Sequence, residues 1–327
     1  MTSLSSDRQE STGHVPRVTI LVTNWNGREC LEHCLTSIYE QTQGLPFEVI
    51  VVDDASTDDS VRMVQTLFPQ ANLLQTPRNL GFVGANNLGV RSARGAYTFL
   101  LNSDTVLLND AVSILAAFLD QHTDVGICGP ALTGADGSPQ ISYGWPPSLS
   151  QALIDALFLN DLFPGAGFPV RAKPVHPGHR EPFPVQYVNG AALMIRTSLI
   201  STHGLFDERF KAYCEEVDLC KRTRQVAHAQ VFVVPAAHIL HHEGKSYGQL
   251  GAGRIRTVYQ SYDKFLIKYH GKIYSAATRL LYAWHYMVKG IFRGIVYLFS
   301  PRPRRAERLQ EMRHAWYNVR YSLWPYA

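Results

Sequence analysis

The sequence predicts an α/β protein built on a mostly parallel sheet with helices on both faces, followed by a helical C-terminal extension. Three observations carry that prediction. Short apolar runs alternate with helical patterns over the first 130 residues. Each run is apolar throughout rather than at every second position, as strands covered on both faces are. From Ala276 onward the strand pattern gives way to a basic helical one.

The runs are VTILVTNW (18–25), FEVIVVDDA (47–55), ANLLQT (71–76), AYTFLLNSD (96–104) and VGICGP (125–130). Between them CLEHCLTSIYEQ repeats apolar residues at intervals of three and four, and DDSVRMVQTLF follows a Ser-Thr-Asp cap. NNLGVRSAR closes before Gly95, and NDAVSILAAFLDQH predicts a helix capped by Asn109. In such a sheet ligands sit at the carboxyl ends of the strands. That places Thr23 to Asn26, Asp53 to Ser56, and Asn102 to Asp104 on one rim.

Composition narrows the class. A chain of 327 residues, 46% hydrophobic, can bury a large core. Residues 1–16 are polar and lack the apolar stretch of a secretory signal, so a disordered start and a cytoplasmic location are expected. The five cysteines are expected to be buried free thiols, since the one-turn spacing of Cys30 and Cys34 suits a packed helix face better than a metal or redox site. The formal charge of +4 is uneven: from Ala276 on, nine Lys and Arg stand against Glu307 and Glu311 alone.

The rim segments carry the chemistry. VVDDASTD leaves its strand on two carboxylates; Asp58 suits a helix cap, whereas Asp53 suits the hydroxyls or base of a nucleotide. RNLGFVGANNLGVRSARG (78–95) brings Gly81, Gly84 and Gly89 for close backbone approach, with a helix beginning near Ala85 to face an anion. Its spacing is neither GxGxxG nor a P-loop. LNSDT (101–105) offers Asn102 and Asp104 as oxygen ligands to Mg²⁺ or Mn²⁺, which would neutralise a leaving diphosphate. In CEEVDLCKR, Glu215, Asp218 and Arg222 share a helical face while Glu216 points about 100° away, so Asp218 is read as an ion pair with Arg222. VFVVPAAHILHHEGKSYG ends a strand on His238, His241 and His242 beside a glycine turn, and cysteine-histidine zinc spacing is missing.

VTILVTNWNG, VVDDASTDDS, RNLGFVGANNLGVRSARGAYTFLLNSDT, NGAALMIRTSLISTHGLFDERFKAYCEEVDLCKR and HHEGKSYG, in this order, resemble the inverting family 2 glycosyltransferases of the GT-A fold, nearest to bacterial rhamnosyltransferase-like enzymes of cell-wall and O-antigen synthesis. The resemblance covers roughly residues 17–250. It implies a Rossmann-like mixed sheet and a nucleotide-binding half (17–130), an acceptor-side half (131–250) and a basic amphipathic region (251–327). It maps the nucleoside contact to Asp53, the Asp-x-Asp element to Asn102, Ser103 and Asp104, and the acceptor-side acids to Glu215 and Glu216. Glu216, a Glu where the family usually has Asp, takes the role of base. The metal set becomes Asp104, Asn102 and His241, with His242 the fallback. The donor set becomes Thr23, Asn24, Asp53, Asp54, Asn79, Gly81, Asn87, Asn102, Ser103 and Asp104.

The implied reaction moves a sugar, L-rhamnose from dTDP-L-rhamnose foremost, from a nucleoside-diphosphate sugar donor to a saccharide or polyprenyl-diphosphate-linked acceptor, with Mg²⁺ or Mn²⁺. Galactofuranosyl, glucosyl or mannosyl donors are the alternatives, and a non-catalytic nucleotide-sugar-binding protein ranks lower. A nucleotide-dependent dehydrogenase lacks its phosphate-binding glycines, because the first strand runs into TNWNGRE. Residues 142–187, rich in proline and with a helical stretch at 149–160, read as an acceptor-side insertion or a subunit contact. From Ser275 to Phe299, Arg279, His285, Lys289 and Arg293 lie in one arc of about 120° and Leu280, Trp284, Met287, Val288, Ile291, Ile295 and Leu298 on the other side. That pattern suits peripheral contact with the anionic inner face of the cytoplasmic membrane, with packing on the catalytic domain or on a second copy in a homo-oligomer as the competing reading. No nucleic-acid motif accompanies the charge.

Overall fold

The computed structural model of the chain describes residues 15–163, 172–242 and 251–326. The N-terminal residues 1–14 and the Gly and Ser that follow His242 lie outside the described residues.

The first half is β1 (Val18–Asn24), α1 (Arg28–Gln41), β2 (Phe47–Asp53), α2 (Ser60–Leu67), β3 (Asn72–Gln75), α3 (Gly81–Gly89), β4 (Tyr97–Asn102), β5 (Thr105–Leu107), α4 (Ala111–Gln121) and β6 (Val125–Thr133). β3, β2, β1 and β4 pair in parallel. In this half the apolar runs became strands. Their alternation sends Ile20, Val22, Val49, Val51, Phe99 and Leu101 to a core under α1, α2 and α4, and Leu21, Ile50, Val52 and Leu100 to a core under α3. Both faces are dry, which is why the runs are apolar throughout.

Two boundaries differ from the sequence reading. α3 starts at Gly81 rather than near Ala85, because the Asp54 carboxylate accepts the Leu80 and Gly81 N–H groups at 2.7 and 2.8 Å and begins the helix there. Asp110, not Asn109, caps α4 by accepting from Ser113 N at 3.2 Å. Asn109 instead bridges to a distant segment, donating to Ala236 O and accepting from His238 N. Gly89 lets α3 lie on the sheet, since a Cβ there would sit 2.4 Å from Leu21 Cδ1 and 2.7 Å from Val52 Cγ2.

The second half adds β7 (Pro139–Gly144), α5 (Leu149–Ala156), α6 (Leu159–Leu162), β8 (Ala172–Pro174), β9 (Phe183–Pro184), β10 (Tyr187–Val188), β11 (Ala192–Arg196), α7 (Thr197–His203), α8 (Glu215–Val226) and β12 (Gln230–His241). β11 enters antiparallel between β4 and β6, so the sheet is mixed. β12 runs parallel to β6 and antiparallel to β5, which carries His241 beside Thr105 at the rim. The helical stretch at 149–160 is interrupted where Phe158 adopts a left-handed φ of 56°.

The chain ends in α9 (Gly251–His270), α10 (Lys272–Phe299) and α11 (Arg305–Leu323). α9 is tied to the α/β part by Phe265, fully buried in the α8-side core, and by Lys268 and Tyr269, which both donate to Asp218. A smaller core of Ala152, Tyr259, Tyr282 and Tyr321 joins α5, α9, α10 and α11. No helix among the described residues is long and apolar enough to cross a membrane. None of the five cysteines is in a disulfide: Cys34, Cys128, Cys214 and Cys220 are buried, and Cys30 is half-buried.

Candidate active site

Parallel register sets the rim: Asn24 stands opposite Asp53, and Thr23 opposite Asn102. Past these strand ends lies an open cleft lined by Thr23, Asn24, Trp25, Asp54, Phe82, Ala85, Asn102 and Ser103. Its polar wall comes from strand tips and its apolar wall from α3 and Trp25, the mixture that small-molecule sites use. Gly27 keeps the cleft open, because a Cβ there would stand 2.8 Å from Asn24 Oδ1.

The acids divide into two groups. Asp53, buried, accepts from Ser56 N at 2.9 Å and from Asn24 Nδ2 at 3.2 Å. Asp54, buried as well, holds Leu80 N, Gly81 N and the Thr76 hydroxyl while lining the cleft. Asn79 accepts from Gly81 N at 2.9 Å, and Asp58 accepts from Ser60 N and from Arg28 N at the start of α1. Asn87 faces another way: its amide makes a two-way pair with the Phe206 backbone at 2.9 and 3.0 Å. Its neighbour Asn86, not foreseen from the sequence, is buried and reaches Phe82 O and the Thr23 hydroxyl.

The Asn102-Ser103-Asp104 turn meets the end of β12. His241 Nε2 lies 3.5 Å from Asp104 Oδ1, and His242 N donates to Asp104 O at 2.9 Å. Gln140 of β7 grips His241 twice, its Nε2 donating to His241 O at 3.0 Å and its Oε1 lying 3.1 Å from Nδ1. With the Nδ1 proton directed at Gln140, the Nε2 lone pair is left facing Asp104. Asn102 Oδ1 is buried without a hydrogen-bond partner in the same turn. A carboxylate, an imidazole nitrogen and an orphaned amide oxygen fit a divalent cation. Among the described residues no three His, Cys, Asp or Glu side chains form a metal cluster. An octahedral Mg²⁺ or Mn²⁺ that takes most of its ligands from water and diphosphate needs no such cluster.

Glu215 and Glu216 open α8 after two left-handed residues, Tyr213 and Cys214, with φ of 65° and 68°. Such backbone is costly for residues with a side chain and collects at functional sites. Glu215 is buried and Glu216 half-buried, and each has an Oε2 that is occluded and without a hydrogen-bond partner. Burial pushes the Glu216 carboxyl up to about 7, and burial plus the Glu216 charge pushes Glu215 well above the usual carboxylate range. One turn joins this pair to the rim: Gly190 packs against the Glu216 stem, while Ala191 O accepts from Asn102 N at 2.9 Å. Asp218 is separate. It is fully buried and receives Arg222 Nε at 2.7 Å, Tyr269 OH at 2.8 Å and Lys268 Nζ.

Of the residues predicted from sequence, Thr23, Asn24, Asp54, Asn102 and Ser103 therefore share one cleft, and Asp104 and His241 meet beside it. Asn87 and Asp218 are held elsewhere by structural partners. Trp25 fell within the predicted rim segment Thr23 to Asn26 without an assigned role, and Phe82, Gly27 and Gln140 were not foreseen, because a lone aromatic, glycine or amide carries no signature.

A mixed sheet whose parallel half ends on polar tips, crossed by an antiparallel strand that brings a second acidic pair to the rim, has the architecture of the GT-A fold. The fold is similar to that of a mannosyltransferase from Pyrobaculum calidifontis solved with GDP-Man and Mn²⁺, with a TM-score of 0.59 and 16% identity over 96% of this chain and 89% of that one. It is also similar to GalNAc-T7 solved with UDP, GalNAc and Mn²⁺, with a TM-score of 0.54 and 15% identity over 77% of this chain and 50% of that one. Residues 19–176 match the family described as glycosyl transferase family 2. It is 28% identical over 303 residues to N-acetylglucosaminyl-diphospho-decaprenol L-rhamnosyltransferase of Mycobacterium tuberculosis, covering 87% of this chain and 94% of that relative. An abequosyltransferase of Salmonella typhimurium is 30% identical over 124 residues, covering 36% of this chain and 37% of that relative.

Proposed function

We propose that the protein is an inverting, metal-dependent glycosyltransferase that moves L-rhamnose from dTDP-L-rhamnose to a saccharide carried on a polyprenyl diphosphate, in cell-wall or polysaccharide synthesis at the inner face of the cytoplasmic membrane. The observation that carries the reaction type is the Glu216 carboxyl beside the donor rim, whose Oε2 is occluded and without a hydrogen-bond partner and which burial raises to about 7. A base with that pKa is half ionised near neutral pH and able to take a proton there. The likeness along nearly the whole length of the mycobacterial rhamnosyltransferase supports the sugar and the lipid-linked acceptor.

The donor nucleotide lies in the cleft between Trp25, Phe82 and the strand tips, with Asp53 and Asp54 holding the loops that shape it. Glu216 accepts the acceptor hydroxyl proton as that oxygen attacks C1 from the face opposite the diphosphate. The C1–O bond breaks, the nucleoside diphosphate leaves, and configuration inverts. Asp104, His241 and Asn102 would hold Mg²⁺ or Mn²⁺, which when bound supplies positive charge to the departing diphosphate. Glu215 shares the desolvated site, and the Glu216 charge raises the proton affinity of Glu215 further.

The test is turnover of a panel of dTDP-, UDP- and GDP-sugars with a prenyl-diphosphate saccharide acceptor, with and without Mn²⁺, for the wild type and Glu216→Gln. The expected result is metal-dependent consumption of dTDP-L-rhamnose, with transfer lost in Glu216→Gln while donor binding persists. Consumption of another donor would replace the sugar and keep the chemistry. No turnover of any donor would leave a nucleotide-sugar-binding protein.

A further inference from the structure

The two faces of α10 are placed opposite to what a helix on the surface of a globular protein shows. Ile273, Leu280, Trp284, Ile291, Ile295 and Leu298 fall within one narrow arc at 100° per residue, and all are at least half exposed, from 50% at Ile295 to 88% at Ile273. The polar arc is turned inward. Arg279 pairs with Asp263 at 3.2 Å, His285 stacks on Phe158 of the α5–α6 segment, and Arg293 donates to Glu311 O of α11. Lys289 lies 3.7 Å from Asp161 of α6. The helix thus uses its charges to attach itself to the protein and leaves its apolar stripe without a partner among the described residues.

Leaving a contiguous apolar stripe in water is unfavourable and marks an interaction surface. What covers it follows from charge. From Lys272 to the end, ten Lys and Arg stand against Glu307 and Glu311. Exposed Lys272 flanks one end of the stripe, and exposed Arg304 and Arg305 follow the other, just past Phe299, which is 85% exposed. A second copy of a chain bearing this charge would bring like charges together at both ends, whereas an anionic leaflet attracts them. The stripe spans 25 residues, about 38 Å at 1.5 Å per residue, as a helix lying in the interface would, with Trp284 near its middle.

We infer that the protein docks on anionic lipid by inserting the outward apolar stripe of α10 into the headgroup boundary, with Lys272, Arg304 and Arg305 on headgroup phosphates. This rests on the reading of a lipid-linked acceptor. The attachment fixes the height of the rim above the lipid.

The test is flotation of the full chain with phosphatidylglycerol vesicles and with pure phosphatidylcholine vesicles, for the wild type and the double variant Ile291→Glu/Leu298→Glu. Both positions are exposed, so thermal unfolding is expected to stay unchanged. The wild type is expected to float with phosphatidylglycerol. The variant is expected to lose at least tenfold in bound fraction, while donor hydrolysis in solution stays the same. A wild type that stays at the bottom of the gradient overturns the inference. So does a variant that floats as well as the wild type, or a dimer in sedimentation equilibrium that the variant dissociates. If no donor is hydrolysed but flotation behaves as expected, the transferase reading fails and the membrane surface stands.

Discussion

Two pairs of adjacent acids sit at the edges of this active site and behave in opposite ways. Asp53 and Asp54 end a parallel strand in a loop whose backbone N–H groups turn toward them, so nearly every carboxylate oxygen is satisfied. Glu215 and Glu216 begin a helix after two left-handed residues, and each keeps an occluded oxygen without a partner. Burial with hydrogen bonds makes an acid a structural fastener; burial without them raises its pKa and leaves a base in need of a proton. Two acids in a row can be either, and only the surrounding donors decide.

The largest effect that could break this contrast is on turnover. Glu216→Gln is expected to lower transfer by about 10²–10⁴-fold, the range for removing a general base, with donor affinity retained when measured by calorimetry. Asp54→Ala should do the reverse. It strips Leu80 N of its acceptor and takes one of two or more acceptors from Gly81 N and the Thr76 hydroxyl, and is expected to cost about 2 kcal/mol of stability in denaturant titration, as losing a charged hydrogen-bond partner does.

Gln140→Leu comes next. Freed from its grip, His241 loses its fixed tautomer, and Mn²⁺ affinity measured by electron paramagnetic resonance is expected to fall about 10- to 100-fold, with Gln140→Glu restoring part of it.

The pH dependence is milder and sharpens the same contrast. With Glu216 raised to about 7, kcat/KM is expected to rise with pH and level off above about 7. Stability moves the other way. Because folding raises the Glu216 pKa, its contribution is intact below about pH 4, where the unfolded chain is protonated too, and is lost as pH rises through about 7. Glu216→Gln is therefore expected to be more stable than the wild type at pH 8, by on the order of 1 kcal/mol, and to show a flatter stability profile. A wild-type profile that does not fall between pH 5 and 8 would show the pair to be better solvated than its occluded oxygens imply.

The parallel half was legible because its strands are buried on both faces, and continuous apolar runs between amphipathic helices have few other solutions. The rim followed from topology, since parallel strands end together and their last residues, Asn24, Asp53 and Asn102, then share one edge. The ion pair between Asp218 and Arg222 was legible from helical spacing, although Lys268 and Tyr269, some fifty residues away, were not. Boundaries shifted where a distant side chain decided them, as Asp54 does for α3.

The sequence by itself determined which residues could act: acids and amides at strand ends, a pair of glutamates opening a helix, a histidine cluster after the last strand, and the two faces of α10. Periodicity and residue chemistry are local properties, and they survive without a fold. Tertiary structure alone decided which acid is satisfied and which is stranded, that Gln140 sets the ring of His241, that Asn87 holds Phe206 rather than facing the cleft, and which face of α10 looks outward. Each of these depends on the donors, charges or apolar surface that residues far away in the chain bring within a few ångströms, and no local pattern records them.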